Sequence, residues 1–206
     1  MKIEKIERSK HQQERILVHL EGGDLLRITE DELLHFGLYT GLDIDDATVV
    51  ELQKCSARSQ TKARAANMIS ARPLSRRELE KRLRDKGATD EDAASAAEWL
   101  ENIGALDDAA YAAMLVRHYS AAGYGAARIR DELFRRGVPR EYWEDALALI
   151  PDPQESIRRL IETKTKGRSV DEKQRRRLAD ALLRRGFPWD AVKSAINALG
   201  ESIEEE

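Results

Sequence analysis

The residues with the clearest chemical potential in this 206-residue chain are arginines that recur beside glycines. Arg135-Arg136 directly precede Gly137, and Arg184-Arg185 directly precede Gly186. A guanidinium group is a planar fork that binds phosphates and carboxylates through paired hydrogen bonds. The chemistry that these residues predict is therefore the binding of an anionic partner. The candidate partner- or DNA-binding residues are Arg76, Arg77, Arg128, Arg135, Arg136, Arg175, Arg176, Arg184 and Arg185.

A solvated helix face explains any single one of these arginines. Cations near a helix C-terminus are also stabilised by the helix dipole, which accounts for Arg136 and Arg185 taken alone. The set as a whole recurs at matching places in a repeated sequence, and stacked repeats would align it into a basic stripe. Such a stripe suits either a phosphate backbone or an acidic protein groove. The arginines alone leave these two partners open.

Residue patterns typical of catalysis or of metal binding are missing. The four histidines lack carboxylate or cysteine neighbours at ligand spacing, and no P-loop, G-x-S-x-G or H-E-x-x-H motif occurs. Gly123 and Gly125 precede a predicted helix, where a phosphate could bind, but a helix-start turn is the better interpretation. We therefore predict a protein that is not an enzyme and uses no metal and no cofactor.

Composition limits the class of protein further. Charged residues make up 35% of the chain, yet the net charge is only −3, which argues against a general nucleic-acid binder. The single cysteine, Cys55, cannot form an internal disulfide, as expected in a reducing compartment. No signal peptide and no membrane span of about 20 apolar residues is visible in the sequence. We expect a cytoplasmic protein that does not contact membranes.

A helical unit of about fifty residues, present in three copies, positions the arginines. When the copies are aligned on Gly87, Gly137 and Gly186, residues match at four further offsets. The two upstream positions are i, i+4 on one helix face, and the glycine suits the left-handed position after a helix. The matched sets are Leu79, Ile129 and Leu178; Leu83, Leu133 and Leu182; Ala96, Ala146 and Ala195; and Leu100, Ile150 and Leu199.

Each unit is predicted to contain three helices, and neighbours must stack because one unit cannot bury its apolar face alone. The predicted fold is mainly α: tandem three-helix repeats form an elongated curved array, with a small N-terminal cap that contains a β-hairpin. The predicted boundaries are a cap at 1–45, one or two linking helices at 46–72, repeats at 73–122, 123–167 and 168–200, and an acidic tail at 201–206.

Local turn and cap residues support this division. Gly22-Gly23 lie between two β-leaning apolar runs and predict a hairpin turn. Thr29 and Glu32 form the pattern of a capping box that opens a short helix. Asp107-Asp108 are interpreted as an N-cap and a first-turn acid. The three tryptophans, which occur once per repeat, are interpreted as core anchors; they are Trp99, Trp143 and Trp189.

Three motifs in order give the sequence a family resemblance. "RPLSRRELEKRLRDKG", "IGALDDAAYA" and "RIRDELFRRGV" together resemble the RecX family of bacterial recombination regulators, over roughly 63–199. The third repeat departs from the pattern, with Lys173 to Arg177 where the first repeat has Ser75 to Leu79. The residues that carry the resemblance are Arg72, Pro73, Ser75, Glu78 and Leu79; Gly104, Leu106, Asp107, Asp108, Tyr111 and Ala112; and Ile129, Glu132, Leu133 and Gly137.

The resemblance implies tandem three-helix repeats and a function in recombination and DNA repair. Members of the family bind the RecA recombinase and its filament on single-stranded DNA, block filament extension, and suppress ATP hydrolysis and strand exchange. Some members also contact DNA. The resemblance brings no catalytic residue to this chain. We expect a monomer whose partner is the recombinase filament, with single-stranded DNA as a further contact.

Two other functions fit the same residues. The first is a direct DNA-binding protein that acts through the basic stripe independently of the recombinase, with an affinity for bare strands that falls steeply with salt. The second is a helical-repeat scaffold for an unrelated partner. Recombinase ATPase measurements on single-stranded DNA would separate these functions from the one that the resemblance implies.

Overall fold

The computed structural model describes residues 1–9, 15–166, 168 and 170–201, with no side-chain description at 200 and 201. From residue 202 onward, the predicted acidic tail lies outside the described residues. Internal contacts divide the chain into two units. Unit 1 comprises Met1–Arg72 and Leu79–Ala105, and unit 2 comprises Pro73–Glu78 and Leu106–Glu206.

The N-terminal part of unit 1 is a three-stranded antiparallel sheet in the order β1-β2-β3. Its strands are β1 (Ile3–Arg8), β2 (Ile16–Leu20) and β3 (Leu25–Ile28). Gly22 and Gly23 both have positive φ, at 99° and 92°, in the turn between β2 and β3. The predicted hairpin is therefore confirmed. The apolar face of the sheet shares a core with Val49 and Leu52 of the helix that follows.

Two helices follow the sheet in unit 1. Helix α1 (Glu30–His35) begins with the predicted capping box: the Glu32 amide donates to the Thr29 hydroxyl, and the Thr29 amide donates to the Glu32 carboxylate. Helix α2 (Asp46–Ala71) is one continuous helix, capped by Asp45. Hydrogen bonding from Thr48 lowers the pKa of the Asp45 carboxyl below its ordinary value. The helix ends where Arg72 becomes extended ahead of Pro73, as a residue before proline tends to do.

The described residues that follow are mostly helical, with a 3₁₀ turn at Arg140–Tyr142. The helices are α3 (Arg76–Arg84), α4 (Asp90–Asn102), α5 (Asp108–Ala121), α6 (Ala126–Arg135), α7 (Trp143–Leu147), α8 (Pro153–Thr165), α9 (Glu172–Arg184) and α10 (Trp189–Glu201). The fold is thus mainly α, with tandem three-helix domains and a small N-terminal sheet, as the sequence predicts.

The three glycines used for the alignment are helix-ending turns. Gly87, Gly137 and Gly186 have φ of 90°, 69° and 86°, a left-handed conformation that favours glycine. The apolar residues eight and four positions before each glycine are all buried. The predicted helix–glycine–helix unit is confirmed by this agreement.

Two apolar cores of unit 2 each join three helices. One core takes Leu115 from α5, Leu133 from α6 and Ala146 from α7. The other takes Ile157 from α8, Leu182 from α9 and Val192 from α10. The helix pair around each glycine turn is therefore completed by the helix that precedes it in the chain.

The tryptophans are only partly core residues. Trp99 and Trp143 are half-buried, and the Trp143 indole N–H donates to the Val138 carbonyl at 3.0 Å. The prediction is wrong for Trp189, whose residue is 60% exposed. In that repeat Phe187 is buried in the core at the same turn, which leaves Trp189 at the start of α10 facing solvent.

Two further features concern the described residues as a group. None of their helices is long and apolar enough to cross a membrane. Among their side chains, no three of the His, Cys, Asp and Glu type are grouped so as to hold a metal ion. His11 is outside the described residues.

Candidate interaction surface

All nine candidate arginines lie in unit 2, on or directly after the three helices α3, α6 and α9. They occupy the first turn of α3, helix α6 with the residue after it, and helix α9 with the residue after it. Four of them are exposed, namely Arg77, Arg135, Arg176 and Arg184, and five are half-buried, namely Arg76, Arg128, Arg136, Arg175 and Arg185.

The first turn of α3 contacts the glycine turn that ends α6. The hydroxyl of Ser75 donates to the Arg136 carbonyl at 2.5 Å and accepts from the Glu78 amide at 3.1 Å, so it caps α3 and joins the two helices. The side-chain stem of Arg77 lies 3.2 Å from the place that a Cβ on Gly137 would take. We call this contact the first junction.

The first turn of α6 contacts the glycine turn that ends α9 in an equivalent way. The Gly125 amide donates to the Arg185 carbonyl at 2.8 Å, and the Ala127 amide donates to the Gly186 carbonyl at 3.2 Å. A Cβ on Gly125 would stand 2.3 Å from the Gly186 oxygen, so only glycine fits there. We call this contact the second junction.

The two junctions use the same positions of the repeat. Ser75 and Gly125 each stand twelve residues before the glycine of their own repeat, and Arg136 and Arg185 each stand one residue before theirs. At the second junction the first amides of α6 are satisfied by carbonyl groups rather than by an anion. The interpretation of Gly123 and Gly125 as a helix-start turn is therefore confirmed.

Two of the candidate arginines hold unit 2 together. The guanidinium of Arg185 donates to the carbonyls of Ala122 at 3.1 Å and Gly123 at 3.0 Å, and it lies over the Tyr124 ring at 5.3 Å. The Arg136 guanidinium donates to the Tyr111 hydroxyl at 3.4 Å. Burial acts to lower the pKa of Arg136, but the neighbouring tyrosine hydroxyls outweigh it, so this pKa lies above its ordinary value.

Arg128 and Arg135 are joined through one carboxylate that the sequence analysis did not select for this role. Glu132 is 5% exposed, and its Oε1 pairs with Arg128 at 3.0 Å and with Arg135 at 2.9 Å. The Tyr119 hydroxyl donates to its other oxygen at 3.1 Å. Two cations around one anion leave α6 with a positive excess here. The sequence does contain a signal for these ion pairs, because Glu132 is four residues after Arg128 and three before Arg135 on one helix.

Asp107 and Asp108 have separate roles. The Asp107 carboxylate accepts from the Ala110 amide at 2.9 Å, which confirms it as the N-cap of α5. Asp108 lies in the first turn of α5, as predicted, but its carboxylate also accepts from the Arg76 amide at 2.9 Å. Asp108 thereby caps the start of α3 as well, which nothing in the local sequence indicates.

Arg175 and Arg176 lie apart from both junctions. They stand at the start of α9, and in the described part of the chain both form ion pairs with Glu172, at 3.2 and 3.1 Å. Arg184 is nine residues further on, which corresponds to about 14 Å along the helix axis. The contacts thus connect Arg77, Arg136, Arg135, Arg128 and Arg185 along α6 and leave this pair as a separate basic group.

Family models match the chain at three successive places. The matches are to "RecX, first three-helix domain" at residues 62–100, "RecX, second three-helix domain" at 107–147 and "RecX, third three-helix domain" at 152–196. The chain belongs to the RecX family. The match to the second RecX domain spans α5, α6 and α7, and the match to the third spans α8, α9 and the first part of α10.

Two relatives illustrate the extent of the similarity to the RecX family. "Regulatory protein RecX" of Geobacillus kaustophilus is 32% identical over 198 residues, which is 93% of this chain and 74% of the relative. "Regulatory protein RecX" of Xanthomonas oryzae pv. oryzae is 36% identical over 134 residues, which is 64% of this chain and 84% of the relative. The second alignment covers a shorter part of the chain than the first.

Solved structures of RecX proteins have the same fold. The "Crystal structure of regulatory protein RecX" superposes with a TM-score of 0.74 at 21% identity, over 95% of this chain and 98% of that one. The RecX structure from Lactobacillus salivarius superposes with a TM-score of 0.64 at 25% identity, over 70% of this chain and 97% of that one. The first comparison bears on the fold alone.

Proposed function

We propose that this chain is a non-enzymatic cytoplasmic regulator that binds the RecA recombinase and its filament on single-stranded DNA. Binding inhibits filament extension, ATP hydrolysis and strand exchange. The observation that carries the proposal is the match to all three RecX domains in order, in a family whose relatives are named regulatory proteins. The arginine surface of unit 2 supports an anionic partner.

The repeated junctions supply a physical basis for gripping a polymer. Two exposed cations, Arg135 and Arg184, stand at the C-terminal ends of α6 and α9, the corresponding helices of two successive repeats. Helix α6 has ten residues and is about 15 Å long, and the two cations stand near its opposite ends, since the turn after α9 contacts its first turn. Contacts that are weak one by one become strong together once the first has formed, because the second then binds at a high effective concentration.

Inhibition follows from binding to one state of the filament. A ligand shifts an equilibrium by its difference in affinity for the two states. A protein that contacts neighbouring subunits at once favours their current arrangement. It therefore opposes the rearrangements of subunits that ATP turnover and strand exchange require.

The test is the ATPase activity of RecA on single-stranded DNA, titrated with this protein at substoichiometric ratios. Wild-type protein should inhibit, and the double variant Arg135→Glu/Arg184→Glu should need at least about tenfold more protein, because each reversal removes an attraction and adds a repulsion. The matched control is Arg159→Glu, an exposed arginine on α8 that pairs with Glu155. No inhibition by wild-type protein rejects the function, and full inhibition by a folded double variant rejects this surface.

Arg135 and Arg184 were chosen because, among the described residues, their side chains make no contact at either junction, although Arg135→Glu also removes the ion pair with Glu132. Reversal of Arg136 or Arg185 would disturb the junctions themselves, so a loss of inhibition could reflect lost structure. Arg175 and Arg176 form a separate group, and their reversal tests whether the partner extends to the start of α9. Far-ultraviolet circular dichroism of each variant verifies that its helices are intact.

Direct binding to DNA without the recombinase is the second candidate function, supported by the four exposed arginines. It predicts an affinity for bare single strands whose logarithm falls with the logarithm of salt concentration by about 0.7 per phosphate contacted. Inhibition of the ATPase that disappears when single strands are supplied in excess over this protein would favour this second function.

A further inference from the structure

Helices α6 and α9 share surface residues that the fold does not require. The segments "RIRDELFRRG" (128–137) and "RLADALLRRG" (177–186) are identical at six of ten positions. The corresponding segment of the first repeat, "ELEKRLRDKG" (78–87), shares only its leucine and glycine with both. The second and third repeats therefore have a common feature that the first lacks.

Packing accounts for only part of this identity. Leu133 and Leu182 are buried in the cores, and the glycines have positive φ. Other shared positions face solvent: the acids Asp131 and Asp180 and the bases Arg135 and Arg184 are exposed, and so are two apolar side chains. These are Phe134, at 62% exposure, and Leu183, at 36%.

The junctions fix the spacing of these two apolar side chains. Leu183 precedes the turn that docks on the first turn of α6, whereas Phe134 is in the last turn of α6. The two side chains therefore stand near opposite ends of α6, which is about 15 Å long. Each apolar side chain has an exposed arginine directly after it.

We propose that Phe134-Arg135 and Leu183-Arg184 are two copies of one docking point. Each docking point binds one subunit of a protein polymer, and the two points bind neighbouring identical subunits. On each subunit the contact is an apolar side chain that lies beside a carboxylate. This inference rests on the proposed function, because the polymer is the recombinase filament proposed there. It adds the chemistry of the contact and the rule of one docking point per subunit.

The residue types favour a protein over a nucleic acid as the occupant. A base stacks on an aromatic ring, and Phe134 has one, but the equivalent Leu183 has no π face. Burial of an apolar side chain suits both residues, and the neighbouring guanidinium selects a carboxylate. Asp131 and Asp180, shared by both copies, disfavour the closely spaced phosphates of a nucleic acid on the same face.

The experiment measures the affinity of fluorescently labelled protein for RecA filaments on single-stranded DNA. The variants are Phe134→Ala, Leu183→Ala and the double variant, and Leu34→Ala is the control because Leu34 is 72% exposed on α1. Each single variant should weaken binding about fivefold to tenfold, as loss of a central apolar contact does. The affinity of the double variant should fall by at least the product of the two single losses. The affinity of the control variant should equal that of wild type.

A recombinase variant that cannot polymerise provides the second measurement. An isolated subunit has one site, which either of the two docking points of this protein can fill. Loss of one docking point halves the number of ways to bind, so each single variant should bind the isolated subunit only about twofold more weakly. Equal losses of fivefold or more on isolated subunits would mean that both residues contact the same subunit, which overturns the rule of one point per subunit.

Failure of the proposed function and failure of this inference give different results. If wild-type protein does not bind the filament, the proposed function fails. If wild-type protein binds and the folded double variant binds equally well, only the docking points fail. If the variants weaken binding to bare single strands as much as binding to filaments, the occupant is a nucleic acid and the inference is overturned.

Discussion

The carbonyl group before each of the three repeat glycines accepts a hydrogen bond, but the donor in the first repeat differs from the donors in the second and third. In unit 1, the carbonyl before Gly87 accepts from the guanidinium of Arg64, at 3.1 Å. In unit 2, the carbonyl before Gly137 accepts from a serine hydroxyl, and the carbonyl before Gly186 accepts from the backbone amide of Gly125. A long side chain, a short side chain and the backbone itself are the three donors.

The neighbouring chain approaches the turn more closely where the donor is shorter. A Cβ on Gly87 would meet nothing within 4 Å, and one on Gly137 would meet the Arg77 stem at 3.2 Å. One on Gly186 would meet the Arg128 amide nitrogen at 2.4 Å. Tolerance to added atoms should therefore fall from the first repeat to the third, although the turn conformation is the same in all three.

The largest expected effect is that of Gly125→Ala. The added methyl group would collide with backbone atoms of Gly186, which cannot rotate away, so the second junction must open. We expect a loss of about 3 kcal/mol in the free energy of unfolding. Gly87→Ala is the matched control: it introduces only left-handed strain, of about 1–2 kcal/mol. Urea denaturation measures both, and equal losses would contradict the difference between the two turns.

The next effect is that of Arg185→Met, which keeps the stem and removes the guanidinium. Two hydrogen bonds to the carbonyls after α5 and the contact with the Tyr124 ring are lost, so we expect about 2 kcal/mol of destabilisation. Arg136→Met, at the equivalent position, loses one long hydrogen bond and should be destabilised by less than about 1 kcal/mol. If thermal denaturation showed a larger loss of stability for Arg136→Met than for Arg185→Met, the expected order of the two arginine contacts would be wrong.

Ser75→Ala tests the first junction. Ser75 is completely buried, and its hydroxyl caps α3 while it satisfies the Arg136 carbonyl. Removal of the hydroxyl should lower the free energy of unfolding by about 1.5 kcal/mol. Ser194→Ala, at an exposed position of α10, is the control and should be neutral. A neutral Ser75→Ala variant would show that the junction does not depend on this hydrogen bond.

The smallest effect is expected for Arg64→Met in the first repeat. The hydrogen bond that it removes is exposed to water, which replaces the donor, so we expect about 0.5 kcal/mol of destabilisation and a fall in Tm of about 1–2 °C. Differential scanning calorimetry detects a change of this size. A loss as great as that of Arg185→Met would mean that the first turn depends on its donor as much as the third does.

The sequence was sufficient for features that depend on local patterns. The hairpin at Gly22-Gly23, the capping box at Thr29, the start of helix after Asp45 and the three glycine turns all depend on residues within a few positions of one another. Helix periodicity also identified the buried leucines of each repeat. Local sequence restricts the backbone directly, so its patterns predict such elements well.

The contacts that give the arginines their roles could not be predicted in the same way. Ser75 meets Arg136 across 61 residues of chain, and Asp108 reaches the Arg76 amide across 32. Whether an arginine points to solvent or clamps a carbonyl depends on which helix end lies opposite it. Trp189 shows the same limit, because the sequence did not indicate that Phe187 would be buried in the core and the tryptophan two residues later exposed.

The acceptor at each of the three repeat glycine turns is a main-chain oxygen, which affects how the number of repeats can change. No point mutation can delete that oxygen, whereas the donor opposite it has been a guanidinium, a hydroxyl and an amide within this one chain. A duplicated repeat would therefore already contain the acceptor of the contact. Tandem growth then needs only one suitable donor on a neighbouring helix, and three chemically different groups already meet that requirement.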